Sequence, residues 1–469
     1  MKCATNTIVK KKMLLFRLLP LTAYCVLPTA FCLLLTVLPA PASGGDSGAG
    51  LSLTDAVKNA LENNYEILAF KNELAVSYED IGVARSFLLP KLNIEERFTS
   101  TTNPTYAFMA KLNQERFSQT DFAINSLNSP GAISDFQTSL SFEQPLFARK
   151  AYVGLEMARL EHAAKNGEYM REKEDIAFAV TKTYLTVVMA GQQVAMAEKT
   201  VEDTKEHSRI AELRFKNGLG LFSDTLRAAT AVTEAEQQLL SVQKNLAVAK
   251  RSLSLLLGTQ GAVDVADPNP EIPVRNIEYY NNSAISRKDI KSMEAIQEKT
   301  KKSIALSEAG YWPTAGVAGS YQLNDHRYPL GSEGSSWLVG VFLRWELFDG
   351  TKREHELAQA RYRSAEADER LKGLKDTVMF KVYASFLGIQ EAKKSVELSQ
   401  SELKTAEEGK RLVKVRYENS LSPLVDLLDT QASLDRARVN LVGKENAYRT
   451  AVANLSYESG TILKDLNIE

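Results

Sequence analysis

Apolar residues recur every seven positions along two long stretches of the chain. Val180, Val187, Val194 and Val201 form one such series, and Val382, Ile389, Val396 and Leu403 form another at an offset of about 202. Val232, Leu239, Leu246 and Leu253 answer in the same way to Leu434, Leu441, Tyr448 and Leu455. A seven-residue apolar period keeps one stripe of a helix against a neighbour and imposes a left-handed supercoil. The stretch from Phe147 to Leu257 therefore predicts a long coiled-coil helical hairpin, and its repeat from Phe348 to Tyr457 predicts a second.

Before each hairpin the period changes to two. Ala315, Val317, Gly319, Tyr321 and Leu323 alternate with small or polar residues, as do Phe136, Leu140 and Phe142. Trp337, Val339, Val341 and Leu343 make a further run, and Leu92, Ile94 and Phe98 a weaker one. These predict four strands of about ten residues, in two pairs, a length that crosses a bilayer when tilted. A soluble four-stranded sheet over a core is the alternative. Four strands cannot close a barrel, so strands that span a membrane require the chain to oligomerise.

A helix opens each repeat. Ser52 or Thr54 caps the first, which runs to about Leu89 before Pro90; its counterpart runs from Ser286 to Trp312 before Pro313. Ala151 to Phe215 lacks proline and would extend about 97 Å, whereas the return arm from Asp224 to Leu257 covers about 50 Å. The shorter opening helices supply the missing length if they stack end to end on the return arms. The predicted fold is mainly α with a small β part. The organisation is a signal peptide 1–42, a first repeat 43–257 (strand pair 91–147, hairpin 149–257), a linker 258–285, a second repeat 286–463 (strand pair 314–348, hairpin 350–463) and a tail 464–469.

The N-terminus carries Lys2, Lys10, Lys11, Lys12 and Arg17 before an apolar run from Leu18 to Leu38 that ends in Ala40-Pro41-Ala42. This reads as a secretory signal cleaved after Ala42, with a membrane anchor as the rival reading. Cys3, Cys25 and Cys32 all lie within it, so the mature chain has no disulfide, thiolate metal site or cysteine nucleophile. Its removal takes the formal charge from −1 to −6, which argues against nucleic acid as a partner. His162, His207, His326 and His355 are the only histidines, are expected at the surface, and show no metal-ligand spacing. No catalytic triad, phosphate loop or zinc motif appears, and neither an enzyme active site, a metal nor a cofactor is expected.

The hairpin turns read Arg214-Phe215-Lys216-Asn217-Gly218-Leu219-Gly220-Leu221-Phe222-Ser223-Asp224 and Arg416-Tyr417-Glu418-Asn419-Ser420-Leu421-Ser422-Pro423-Leu424-Val425-Asp426. Asp224 and Asp426 open the return helices, where the helix dipole favours an acid. Leu219, Leu221, Phe222, Leu421 and Leu424 are expected as exposed apolar groups at the tips, a docking surface for another protein.

The order and duplication of these features resemble the TolC family of trimeric outer membrane efflux and secretion ducts. The resemblance covers about Leu51 to Tyr457 and includes Leu53-Thr54-Asp55-Ala56-Val57, Gln144-Pro145-Leu146-Phe147, Glu346-Leu347-Phe348-Asp349-Gly350 and both turns. It implies a homotrimer with a twelve-stranded barrel in outer membrane lipid and an α-helical barrel through the periplasm of a Gram-negative-type bacterium. It also implies a tip opened by a periplasmic adaptor (membrane fusion protein) and an inner membrane transporter of the RND or ABC type. Asp426 and Asp429 match the acids ringing the family's periplasmic constriction, and Tyr417 matches a tyrosine that holds the closed state, with Ser223 and Asp224 as its partners. Gly218, Leu219, Leu221, Phe222, Leu421 and Leu424 fall at the tips where the family meets adaptor hairpins. Ser422 stands where one member has an arginine, and Ser420 replaces the second tip glycine. A periplasmic coiled-coil adaptor or scaffold that never enters a bilayer is the competing reading. The connection from Asn103 to Gly131, with Tyr106, Phe108, Phe117 and Phe122, forms a plug or receptor surface, or its aromatics pack only on one another.

Overall fold

The computed structural model describes residues 50–266 and 270–468; the signal segment and all three cysteines lie outside the described residues. In chain order the elements are α1 (Leu53–Asn63), α2 (Tyr65–Ser86), β1 (Lys91–Thr101), α3 (Pro104–Asn113), α4 (Ile124–Asn128), β2 (Ile133–Phe147), α5 (Arg149–Lys216) and α6 (Phe222–Leu256). There follow α7 (Ile277–Ala284), α8 (Lys288–Glu308), β3 (Thr314–Asp325), β4 (Gly334–Arg344), α9 (Lys352–Glu418), α10 (Leu424–Glu458) and α11 (Ile462–Asp465).

Helix α5 has 68 residues and α9 has 67, about 100 Å each at 1.5 Å per residue. Their return arms, α6 and α10, have 35 residues each, about half that length. Val180, Val187, Val201, Leu253, Val382, Ile389, Leu434 and Leu455 are buried, as the heptad spacing requires.

The missing half of each return arm comes from the opening helices, through a joint in each repeat. In the first, the expected single helix is broken at Asn64, whose side chain accepts from the backbone N–H of Glu66 and Ile67 and so caps a new helix. The same side chain donates through Nδ2 to Leu256 O at 2.8 Å, tying the end of α6 to the start of α2. Gly258 completes the junction with φ +68°, and a Cβ there would stand 2.4 Å from Asn63 O. In the second repeat Arg287 takes this position and donates through Nη1 to Glu458 O at 2.7 Å and to Glu458 Oε2 at 3.0 Å. The first joint is thus neutral and the second ionic. Residues 258–285, expected as a linker, contain α7, which stands in the second repeat where α1 stands in the first. The expected boundary between second repeat and tail falls inside α11, whose Ile462 and Leu463, followed by Leu466 of the tail, are buried in one core with Leu53, Val57 and Val180.

The four strands form one antiparallel sheet in the order β1-β2-β3-β4 rather than two separate pairs. Register places Ile94 opposite Leu140, Leu140 opposite Tyr321 and Tyr321 opposite Trp337. The adjacent row runs Leu92, Phe142, Gly319, Val339. Because alternate residues face opposite ways, one face carries these apolar side chains and the other carries Asn93, Glu95, Arg97, Gln137, Ser139, Ser141, Ser320 and Gln322. The apolar face is uncovered: Ile94, Trp337 and Val341 are 73%, 76% and 79% exposed. Among the described strands, β1 and β4 each pair on one side only.

In the long β1–β2 connection Phe108 packs on Phe117, and Phe117 on Phe122, with ring centroids 4.7 and 5.1 Å apart, while Tyr106 is exposed. The buried Gln114 pins this connection to the sheet by donating to Asp135 Oδ1 at 2.7 Å. No described helix is long and apolar enough to cross a membrane.

Candidate functional site

The turn joining α5 to α6 and the turn joining α9 to α10 share one backbone design. Leu219 N–H donates to Arg214 O and Leu421 N–H to Arg416 O, both at 2.8 Å, closing each helix with a left-handed residue. That residue is Gly218, φ +72°, in the first turn and Ser420, φ +61°, in the second. A left-handed serine costs roughly 1 kcal/mol. Its side chain explains its presence, because Arg214 of the first turn donates through Nη2 to Ser420 Oγ at 2.7 Å.

Arg214 makes the main link between the two hairpins at this end. Its Nη1 donates to Tyr417 O at 2.7 Å, and its guanidinium lies over the Tyr417 ring, 4.7 Å from the centroid. Tyr417 is buried, which pushes its phenol upward; Arg214 opposes the shift and Asp224 adds to it. The structure therefore gathers Tyr417, Arg214 and Asp224, but no described hydrogen bond joins the Tyr417 hydroxyl to Ser223 or Asp224. Arg214 was visible in the sequence as a basic residue before a turn. Its partners lie more than two hundred positions away, and no local signal reveals them.

Beneath this link, Ala211, Ala228, Tyr417, Leu424 and Leu427 form a small apolar core. Leu424 is 0% exposed, which corrects its expected place on the tip surface. The reason is steric. Ala211 and Ala228 leave room that Tyr417, Leu424 and Leu427 fill, whereas the positions corresponding to the two alanines hold Val413 and Thr430. Phe215 and Phe222, the first-turn counterparts of Tyr417 and Leu424, consequently stay outside and lean on each other at 5.4 Å. Leu219, Leu221, Phe222 and Leu421 are exposed, as expected.

Asp426 and Asp429 are both exposed on α10. Ser422 Oγ donates to Asp426 Oδ2 at 2.6 Å. Somewhat farther from the turns, Lys410 of α9 pairs with Asp203 of α5 at 2.9 Å.

His207, expected at the surface, is buried between these helices. His162 is half-buried with Nδ1 2.9 Å from Ser77 Oγ, and His355 is exposed. At the β3–β4 turn, donor atoms of Asp325, His326 and Glu333 lie within 4.8 Å of one another. They are already engaged: His326 Nδ1 is 2.5 Å from Glu333, its Nε2 accepts from Arg327, and Asp325 accepts the backbone N–H of Arg327 and Tyr328.

With this geometry in view, the comparisons with known proteins agree among themselves. The model of the family described as Outer membrane efflux protein matches residues 56–259 and 279–461. Outer membrane protein TolC of Salmonella enteritidis is 19% identical over 432 residues, covering 88% of this chain and 82% of that protein. Proteases secretion protein PrtF of Dickeya chrysanthemi is 19% identical over 428 residues, covering 89% and 90%. The crystal structure of CusC superposes with a TM-score of 0.75 at 15% identity, covering 87% of this chain and 92% of that one. The outer membrane protein VceC from Vibrio cholerae gives 0.71 at 16%, covering 87% and 96%.

Proposed function

Since the chain belongs to the outer membrane efflux protein family, and so is a passive outer membrane exit duct for tripartite efflux or secretion, we propose how its parts divide that work. Three copies close the sheet into a twelve-stranded barrel. The observation that carries this is the sheet itself, with one uncovered apolar face and an unpaired strand at each edge. In hydrocarbon each unpaired backbone group would cost several kcal/mol, and joining β1 of one copy to β4 of the next removes that cost. Strands of 11 to 15 residues are long enough for the crossing. The helices, about 100 Å long, extend the duct into the periplasm.

The tip is the gate. Arg214 and Tyr417 hold the first hairpin to the second, with Ser223 and Asp224 at the mouth of the first return helix. Asp426 and Asp429 of three copies place up to six carboxylates around the opening, and like charges confined together attract cations. A periplasmic adaptor docks on Leu219, Leu221, Phe222 and Leu421, around Gly218, and an inner membrane transporter of the RND or ABC type drives the cargo.

Mass measurement of the detergent-solubilised protein tests the assembly. Three chains per particle are expected, and a stable monomer with folded strands would refute it.

A further inference from the structure

His207 is 3% exposed, and neither ring nitrogen makes a hydrogen bond of ordinary length and angle. Facing it from α10 is Gln431, also buried, whose Nε2 donates to both oxygens of Asp435 at 3.0 Å. That bond turns the amide oxygen away from Asp435, and Gln431 Oε1 likewise makes no ordinary hydrogen bond. His207 and Gln431 therefore face each other in a contact too poorly aligned for an ordinary hydrogen bond, which forgoes about 1 kcal/mol.

The charged groups around the ring come from each helix packed on it. Asp203 and Glu206 belong to α5 itself, and Lys410 and Lys414 approach from α9. Asp203 is already engaged by Lys410, and Glu206 by Arg209 at 2.6 Å. On α10 Asp435 is held by Gln431, and on α6 Glu236 is held by Lys205 at 2.8 Å. No described acid near the ring is left uncommitted to receive an imidazolium.

We infer that His207 is a proton-operated wedge: in mild acid its imidazole takes up a proton and weakens the packing of the first hairpin on the second, so that acid loosens the tip. In the packed state, burial and then Lys410 push the imidazole below its ordinary value of 6.5, more strongly than Gln431 and Asp203 raise it. A loosened tip restores the ordinary value, so the packed state binds fewer protons than the loosened one. The advantage of the packed state is therefore complete above about pH 6.5. Below that it falls up to about tenfold per pH unit and per copy, until the lowered value is passed.

The inference rests on the reading of the tip as the gate, and the measurements separate the two. Histidine C2 hydrogen exchange, read by mass spectrometry on the full wild-type chain, gives the titration of His207 without any variant; it should lie below the ordinary histidine range. Amide protection across 203–216 and 410–431, corrected for the intrinsic slowing of exchange in acid, should fall between about pH 7.5 and 5 in the wild type and stay flat in His207→Gln. Resting conductance in planar bilayers should follow the same pattern. An ordinary or raised titration of His207, or an acid response that survives unchanged in His207→Gln, overturns the wedge. Acid loosening of these helices without any rise in conductance upholds the wedge and refutes the gate.

Discussion

Replacing Arg214 by alanine removes three interactions that cross from the first hairpin to the second. Two are charge-assisted hydrogen bonds, to Tyr417 O and Ser420 Oγ at 2.7 Å, and the third is the contact with the Tyr417 ring at 4.7 Å. Hydrogen bonds to a charged group contribute about 1.5–3 kcal/mol each when desolvated, and a cation over an aromatic ring about 0.5–2 kcal/mol. The Ser420 bond is exposed and screened, and the three are not additive, so the net loss is about 2 kcal/mol per copy. That is about thirtyfold in the ratio of latched to released hairpins. Arg214→Ala should accordingly raise resting conductance of single trimers in planar bilayers, with trimer mass and membrane insertion unchanged. Arg214→Lys should fall between, because an ammonium lacks the planar fork that reaches both oxygens. Tyr417→Phe keeps the carbonyl and the ring, and should behave as the wild type. Resting conductance in Arg214→Ala equal to that of the wild type would refute the latch.

Further outcomes follow from the tip and from the joint in the first repeat. Leu221→Asp should abolish efflux and adaptor crosslinking while sparing the trimer, since Leu221 is exposed; Leu424→Asp should instead unfold the tip, raising its protease sensitivity and amide exchange, because it buries a charge. Asp426→Ala combined with Asp429→Ala should remove cation preference and block by multivalent cations in single-channel recordings; unchanged block would reduce both acids to helix-end charges. Gly258→Ala should lower the thermal midpoint by several degrees, since its Cβ would meet Asn63 O at 2.4 Å in a left-handed backbone; an unchanged midpoint would show that the joint yields freely.

What the sequence revealed and what it hid divide along physical lines. Heptads and two-residue alternation are local periodicities, so α5, α6, α9, α10 and all four strands could be read from them. The break at Asn64 was hidden because a capping asparagine inside an apolar pattern gains its advantage from Leu256, a partner far along the chain. The burial of Leu424 was hidden for a related reason: its sequence resembles that of Phe222, and only the alanines across the hairpin interface distinguish the two. His207 looked like a surface residue because polar neighbours surround it in sequence, while its burial comes from α9 and α10. Periodicity fixes which face of a helix is apolar. It says nothing about which distant side chain meets a polar residue at the edge of that face.

The unequal filling of the two turns bears on symmetry. Duplication gives each chain two similar hairpins, so three chains would present six, and the body of the duct approximates a sixfold object. At the tip that approximation fails: Phe215 and Phe222 stand outside in one hairpin, while Tyr417 and Leu424 are inside in the other. In such a trimer the end of the duct would be strictly threefold, with two chemically distinct seats alternating around the ring. A partner that engages all six must bind at two affinities or in two shapes.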